Sequence, residues 1–381
     1  MTKLSLAKYL KQIQGTLSKT LITFRTWKER QVLEDYPKPT YTRTSKQDQQ
    51  RKHYRYCCDK WKTLTDEQKA SYKEKASKLG LTAFNVFMSE CLKTPMLIFK
   101  YKVTIDNTQL NQTLTDYQIK LVVSNDATFF NDFNNDHKYL EVYDSDQTTM
   151  LNFWVEEWDT TNHNAKIWIK VPSIPASSSK IIYLAYNPNR TTYLSNKASV
   201  VEFYDDFFVD LSKWTQVSGT WTIENGNLKS PSGDNYYIIT KNFTIKNMRI
   251  LARGKFPSTG LAQALCILAR YQDTATWYIF EYSDYYDALN IWLHTSSGWT
   301  QLASMSITID SNYHIFEGRI FENRLEFWMD GALKLTATNT TIQNPGYPGF
   351  RKGETSGYFY IDYCYITKYA YPEPTVTYTK L

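Results

Sequence analysis

Near Phe99 the spacing of apolar residues changes from three or four to two, and it stays at two for most of the remaining chain. Tyr101, Val103 and Ile105 alternate with Lys102, Thr104 and Asp106, and the turn Asp106-Asn107-Thr108 follows. Ile119, Leu121 and Val123 repeat the pattern, as do Leu151, Phe153 and Val155. In 165–171, Ala165, Ile167, Ile169 and Val171 share one face, with Lys166, Trp168 and Lys170 opposite. Strict alternation sends successive side chains to opposite faces of a strand, so this stretch predicts antiparallel sheet rather than helix. The prolines of Val171-Pro172-Ser173-Ile174-Pro175 predict a broken turn before the strand 181–186.

The same period continues beyond Phe203. Trp221–Lys229 reads as a hairpin around Asn225-Gly226, whose residues tolerate the positive φ of a tight turn. Strands are expected at 236–245, 248–256, 261–271, 275–283, 288–294, 312–321, 324–329 and 358–368, with a second hairpin from Arg324–Asp330 through Gly331 to Leu333–Leu335. Many short strands without intervening helices indicate sandwiches or barrels. The aromatic share of 16%, with 30 Tyr and 11 Trp, suits pleated, half-buried surfaces. The expected fold is mainly β: two tandem antiparallel β-sandwich, jelly-roll-like domains at 96–202 and 203–370, after a small α-helical module at 1–95. Residues 371–381 read as an extended tail.

The first 95 residues differ in period and in charge. Leu4, Leu6, Leu10, Ile13, Leu17, Leu21 and Phe24 recur at spacings of two to four and predict one or two helices over 1–35. Pro37 and Pro39 break the chain, and a second helix is expected from Ser45 to Trp61. Thr65-Asp66-Glu67-Gln68 is a capping box for a third helix that stops at Gly80. A last helix spans Thr82 to Lys93, and Pro95 closes the module. This stretch holds 20 Lys+Arg against 9 Asp+Glu, leaving 24 against 29 in the rest of a chain of net charge +6. Such asymmetry gives the two parts different partners; nucleic acid, an acidic protein or anionic headgroups suit the basic end. Of five cysteines, Cys91 can bridge Cys57 or Cys58, the plain alternative being small buried thiols. The start of the chain lacks a signal-peptide stretch, and the apolar runs 181–186 and 264–269 are too short to span a bilayer.

Catalytic chemistry finds no foothold. A glycosidase on such a sandwich needs two carboxylates about 5–10 Å apart, and an alternating Glu-x-Asp-x-Glu strand is absent. Glu156, Glu157 and Asp159, or Glu326 and Asp330, are the nearest substitutes, and solvated edges and turns account for them more simply. The histidines His53, His137, His163, His294 and His314 are isolated, and the Cys spacing matches no zinc site. The oxygen-rich loops 125–126, 131–132 and 134–136 lack the order of a calcium loop and read as turns. No phosphate loop or nucleophile elbow is present. The expectation is therefore no enzyme, no cofactor and no metal. Tyr282, Tyr285, Tyr286, Trp292 and Trp299 cluster in sequence and are the candidate ligand-binding residues, since pyranose C–H groups stack on exposed aromatic faces.

Three stretches carry family resemblances. Residues 100–207 resemble the domain of unknown function 2341, on Tyr101–Asn107, Leu114–Gln118, Phe153–Asp159, Ile167–Pro175, Ile182–Pro188 and Phe203–Phe207. That family implies no catalysis and proximity to carbohydrate-binding modules. Residues 203–370 resemble the concanavalin/laminin-G-like sandwich, on Trp221–Lys229, Leu325–Gly331 and Gly357–Tyr363. Residues 57–88 are similar to the second half of an HMG box, on Cys58–Thr65, Glu67–Lys69 and Tyr72–Ala76, but the first helix of such a box has no counterpart, which argues against nucleic acid as partner. In length and domain order the chain resembles turret proteins of turreted icosahedral archaeal viruses. That resemblance implies a virion-surface protein, made in the host cytoplasm, forming a homo-pentamer at a five-fold vertex. It would dock on the capsid penton or major coat protein and present a face to a host-surface glycan or receptor. The alternatives are a non-catalytic carbohydrate-binding protein, and a DNA-binding accessory protein acting through the basic module.

Overall fold

The computed structural model describes residues 15–17, 22–27, 30–35, 45–93 and 97–381. They fall into two compact units, Met1–Met96 and Leu97–Leu381.

Among its described residues the first unit has three strands, β1 (Gly15–Leu17), β2 (Ile22–Trp27) and β3 (Arg30–Asp35), paired in that order, and three helices, α1 (Ser45–Thr63), α2 (Asp66–Leu79) and α3 (Ala83–Lys93). The strands correct the expectation of helix over 1–35. Ile22-Thr23-Phe24-Arg25-Thr26-Trp27 is a β-branched and aromatic run, and that preference overrides the looser spacing of the leucines. The prolines at 37 and 39 lie outside the described residues. Thr65 caps α2 as its sequence predicts: its Oγ accepts from the Gln68 amide at 3.3 Å while its own amide donates to Gln68 Oε1 at 3.0 Å. Gly80 ends that helix at φ +65°. Trp61 packs against Tyr72, Phe84 and Phe87 with ring centres 6.1, 5.8 and 5.3 Å away. Cys57, fully buried, is disulfide-bonded to Cys91, which resolves the open choice between Cys57 and Cys58.

The second unit is a stack of four sheets. One has the order β25-β4-β9-β6, from β25 (Thr375–Lys380), β4 (Ile98–Asp106), β9 (Ser179–Tyr186) and β6 (Leu140–Tyr143). It faces β5-β8-β7, from β5 (Leu114–Val123), β8 (Asn164–Ile174) and β7 (Phe153–Asp159). Val103, Ile105, Ile119, Leu121, Ile167, Ile169 and Leu184 fill the space between them, joined by Phe129 and Phe130 from the short helix α4 (Ala127–Asp132) and by Phe133 just after it. The proline-broken turn expected at 171–175 is instead the end of β8. Pro172 lies opposite Asp116, a positive-φ residue at which the ladder with β5 skips, so its missing N–H costs no bond. The 371–381 segment is extended but not free: β25 pairs with β4 from Thr375↔Asp106 to Lys380↔Tyr101.

The third sheet runs β12-β13-β24-β15-β20-β21-β22, with β10 also paired to β24. Its strands are β10 (Phe203–Asp205), β12 (Thr222–Glu224), β13 (Asn227–Lys229), β15 (Met248–Lys255), β20 (His314–Phe321), β21 (Arg324–Met329), β22 (Ala332–Thr338) and β24 (Tyr360–Lys368). The fourth runs β11-β14-β23-β16-β17-β18-β19, from β11 (Trp214–Gln216), β14 (Tyr236–Thr240), β23 (Tyr347–Gly353), β16 (Ala264–Asp273), β17 (Thr276–Ser283), β18 (Ala288–Thr295) and β19 (Gly298–Ser306). Ile250, Ala252, Phe316, Phe327 and Ile366 of the third sheet meet Ile267, Phe280, Ile291 and Phe350 of the fourth. Gly318 makes room for this: a Cβ there would stand 2.3 Å from the Phe280 ring. No helix among the described residues is long and apolar enough to cross a membrane.

Because the sheets are stacked, the third has two buried faces. Trp154 and Trp168, on the far side of the β5-β8-β7 sheet from its own core, pack on Leu251 and Tyr365. Glu156 accepts from Trp168 Nε1 at 3.0 Å and from the Tyr365 hydroxyl at 2.7 Å. Beside them, Arg249 reaches Glu317 at 3.4 Å and Glu373 at 2.5 Å, and Arg319 holds Glu317 at 2.6 Å. Burial pushes the Glu317 carboxyl up, but Arg249 and Arg319 more than offset this and leave it below its ordinary range. Removing one member of a buried ion pair strands the other, at a cost of about 3–5 kcal/mol. Arg319 still reaches Glu317 and, at 3.5 Å, Glu373, so Arg249→Met is expected to lower unfolding stability in urea by somewhat less than that. Adding Glu317→Leu to it should recover part of the loss; full additivity of the two would show that the pair is not coupled.

Candidate functional site

The outer face of the fourth sheet, at one end of that stack, has no sheet packed on it, and polar and aromatic side chains gather there. Alternation along β17 sends Tyr278, Phe280 and Tyr282 inward and Trp277, Ile279 and Glu281 outward. The register of β18 then sets Asn290 beside Glu281, Trp292 beside Ile279 and His294 beside Trp277. On β19, Trp299 pairs with His294 and Gln301 with Trp292. One rung therefore crosses five strands as Tyr237–Arg351–Cys266–Glu281–Asn290.

That rung is polar and almost fully buried. Glu281 accepts from Asn290 Nδ2 at 2.9 Å and Trp292 Nε1 at 2.8 Å, and Gln301 Nε2 donates to Asn290 Oδ1 at 3.1 Å. Burial raises the Glu281 carboxyl above its ordinary value, against the lowering pull of those two donors and of Arg351. Arg351 donates to Asp234 at 2.8 Å and Asn235 at 2.9 Å, and its guanidinium lies over the Trp299 ring, 4.9 Å from its centre. The Cys266 thiol is pushed well up by burial and is inert at neutral pH.

Aromatic rings form a continuous path beside this rung. Tyr285 meets Tyr286 at 4.8 Å, Tyr286 meets Trp292 at 6.4 Å, and Trp292 meets Trp299 at 5.9 Å. Trp299 then stands edge-on to Trp277 at 4.8 Å, and Trp277 stacks on His294 at 4.6 Å. Tyr285, Tyr286 and Trp299 are 57%, 51% and 46% exposed. Trp292 is half-buried and fixed by its bond to Glu281. The path ends at an open cleft of about 800 Å³ lined by Gly260, Asp284, Tyr285, Tyr286, Asp287 and Thr308. Asp284 shapes it by accepting from the amides of Gly260 and Leu261 at 3.2 and 2.9 Å.

Four of the five residues singled out from sequence thus come together, and Tyr282 does not. It is fully buried between the sheets, stacked on Phe256 at 5.1 Å, and its hydroxyl accepts from the Asp310 amide at 3.0 Å. Its even position on β17 dictates this, since Phe280 and Tyr278 share its face. Glu281, Asn290 and Arg351 escaped notice because no motif joins them. The alternation of Trp277-x-Ile279-x-Glu281 against Asn290-x-Trp292-x-His294 was the available signal. The carboxylates weighed as catalytic substitutes are held by the protein itself. Glu326 is occupied by Arg324, Trp328 and Tyr369 at 2.6–2.9 Å. Glu157 pairs with Lys166, and Asp159 closes the 159–162 turn. The acidic residues of the oxygen-rich loops are likewise engaged: Asp126 by the Phe129 amide and Tyr378, Asp132 by Tyr101, Asp136 by the Lys138 amide.

Residues 136–222 match the domain of unknown function 2341, a stretch running from β6 into β12 and thus across both sandwiches. The chain is similar in structure to the carbohydrate-binding module CBM66 from Bacillus subtilis, with 14% identity and a TM-score of 0.35 over 44% of this chain and 96% of that one. It is similar to the Bacillus licheniformis beta-glucanase, with 14% identity and a TM-score of 0.38 over 44% and 98%. A third likeness is to the catalytic domain of an endo-1,3-beta-glucanase (laminarinase) from Thermotoga petrophila, with 14% identity and a TM-score of 0.36 over 44% and 97%. No curated protein matches the sequence. The virion vertex anticipated from domain order finds no support in these similarities.

The raised Glu281 carboxyl has a consequence for stability. A group that binds its proton more tightly in the folded state stabilises folding at low pH, and that contribution is lost as pH rises through the folded value. Glu281→Gln keeps an acceptor for Asn290 and Trp292 without the charge. Thermal melts should show the variant gaining on wild type as pH rises from 4.5, the ordinary glutamate value, toward neutrality. A difference that does not change with pH would mean Glu281 is not the strained carboxylate.

Proposed function

We propose that the outer face of the β11–β19 sheet binds carbohydrate without cleaving it, with Tyr285, Tyr286, Trp292 and Trp299 as the stacking surface. The observation that carries this is the unbroken run of partly exposed rings leading into the open cleft. Aromatic planes offer a negative face to the C–H groups of a pyranose, and a ring held in place by a hydrogen bond loses little freedom on binding. Asp287 and Thr308 in the cleft supply hydroxyl-directed polar contacts.

The state of Glu281 supports binding without hydrolysis. A general acid must reach the glycosidic oxygen, yet this carboxylate is 3% exposed and already accepts from Asn290 and Trp292. Arg351 is likewise turned to Asp234 and Asn235 rather than outward. The basic first unit plays no part in this reading.

The test is a glycan array followed by titration of the best polysaccharide. Trp292→Ala and Trp299→Ala should each weaken binding about tenfold, or ~1.4 kcal/mol, while Tyr282→Phe leaves affinity unchanged. Reducing ends should not accumulate during the incubation. Equal binding by the tryptophan variants would sink the proposed face, and hydrolysis abolished by Glu281→Gln would overturn its passive role.

A further inference from the structure

Away from this face, three side chains of the first unit converge on one point. His53 and Cys57 stand four residues apart on α1 and share one side of it, and Cys91 reaches them from α3. One ligand atom from each, an imidazole nitrogen and two sulfurs, lies within 4.8 Å of the others. His53 Nε2 is shielded from solvent and has no hydrogen-bond partner. A buried ring nitrogen without a partner is costly and calls for an explanation. Sequence spacing hid the group, because 34 residues separate the two cysteines and the helix geometry alone aligns His53 with Cys57.

We propose that reduction of the Cys57–Cys91 disulfide converts this corner into a binding site for a thiophilic divalent cation of the zinc class, with His53 as third ligand. The oxidised pair is a poor ligand for such a cation, since neither sulfur carries the negative charge of a thiolate. A dithiol reductant gives two electrons and two protons, the S–S bond breaks, and the reductant leaves as its own disulfide. The cation then displaces both thiol protons, forming two metal–sulfur bonds of about 2.3 Å and one metal–nitrogen bond of about 2.0 Å. A water molecule fills the fourth position. Bonds of those lengths set the ligand atoms somewhat under 4 Å apart, so the two sulfurs must separate when the cation enters. Cation binding would replace one cross-link between α1 and α3 by another and give His53 its missing partner. The helical unit would thus stay tied in both oxidising and reducing surroundings.

Cobalt(II) added to the full chain tests this, after reduction with dithiothreitol and removal of the reductant without oxygen. The reduced chain should bind one equivalent and show thiolate-to-cobalt charge-transfer absorption, and the oxidised chain should show none. His53→Ala should weaken binding at least tenfold, with helical circular dichroism checked to exclude unfolding, while Cys58→Ser should not alter it. Zinc should also slow alkylation of Cys91 in the reduced wild-type chain, read by mass spectrometry. Absence of the charge-transfer band in the reduced chain would overturn the proposal. So would an unchanged affinity in His53→Ala, or loss of binding in Cys58→Ser, either of which assigns the metal to other ligands.

Discussion

The outer side of the third sheet, covered by the first sandwich, is the constraint on which the second unit depends. Had β15, β20 and β24 faced water there, Arg249, Glu317, Arg319 and Tyr365 would be an ordinary polar surface. Under Trp154 and Trp168 they are removed from solvent, and each charge then needs an opposite charge at contact distance. Glu373 supplies one of those charges from the segment that leads into β25. Position in the stack and closure of the first sandwich are therefore settled by the same residues. The two sandwiches form one unit because neither can withdraw without exposing unpaired ions and two tryptophans.

Stacking also explains what the face of the fourth sheet can do. With one side of that sheet committed to the core and the other uncovered, its outward residues are free of packing duties toward another sheet. They still form a small apolar layer of their own, with Trp277, Ile279 and Cys266 sealed beneath Trp292 and Trp299. A carboxylate, an amide and a guanidinium lie across that layer in one rung, and each is bonded to a neighbour. The rings above are thus supported by a rigid polar base, the condition for a surface that keeps its shape when a ligand arrives.

Much of this was legible in the residues, and the failures share a cause. Period-two alternation is local, so most of the longer strands between β4 and β24 could be read directly, as could the capping box at Thr65 and the stop at Gly80, while β6, β11, β19 and β23 could not. Whatever depends on partners far along the chain could not. Alternation groups Trp168 with Lys166 and Lys170 on one face but does not say whether a second sandwich covers that face. Tyr282 was grouped with Tyr285 by proximity in sequence, where parity on β17 would have set them apart. The strands at 15–35 show the opposite weakness: leucines at mixed spacings satisfied a helical stripe, while β-branched content carried the better signal. The Cys57–Cys91 choice needed the packing of α3 against α1.

The pairing of β25 with β4 has a consequence for how the protein is made. Its partners, such as Thr375 and Asp106, are separated by nearly three-quarters of the chain. At ribosomal speeds of about 5–20 residues per second, the interval between synthesis of the two strands is on the order of 15–55 s. For that time β4 has a bare edge of amides and carbonyls, the kind that recruits strands from other chains. The nascent first sandwich is thus a half-finished sheet waiting for its last strand. Crowded polysomes, rather than the finished molecule, are where this fold is most exposed to misassembly.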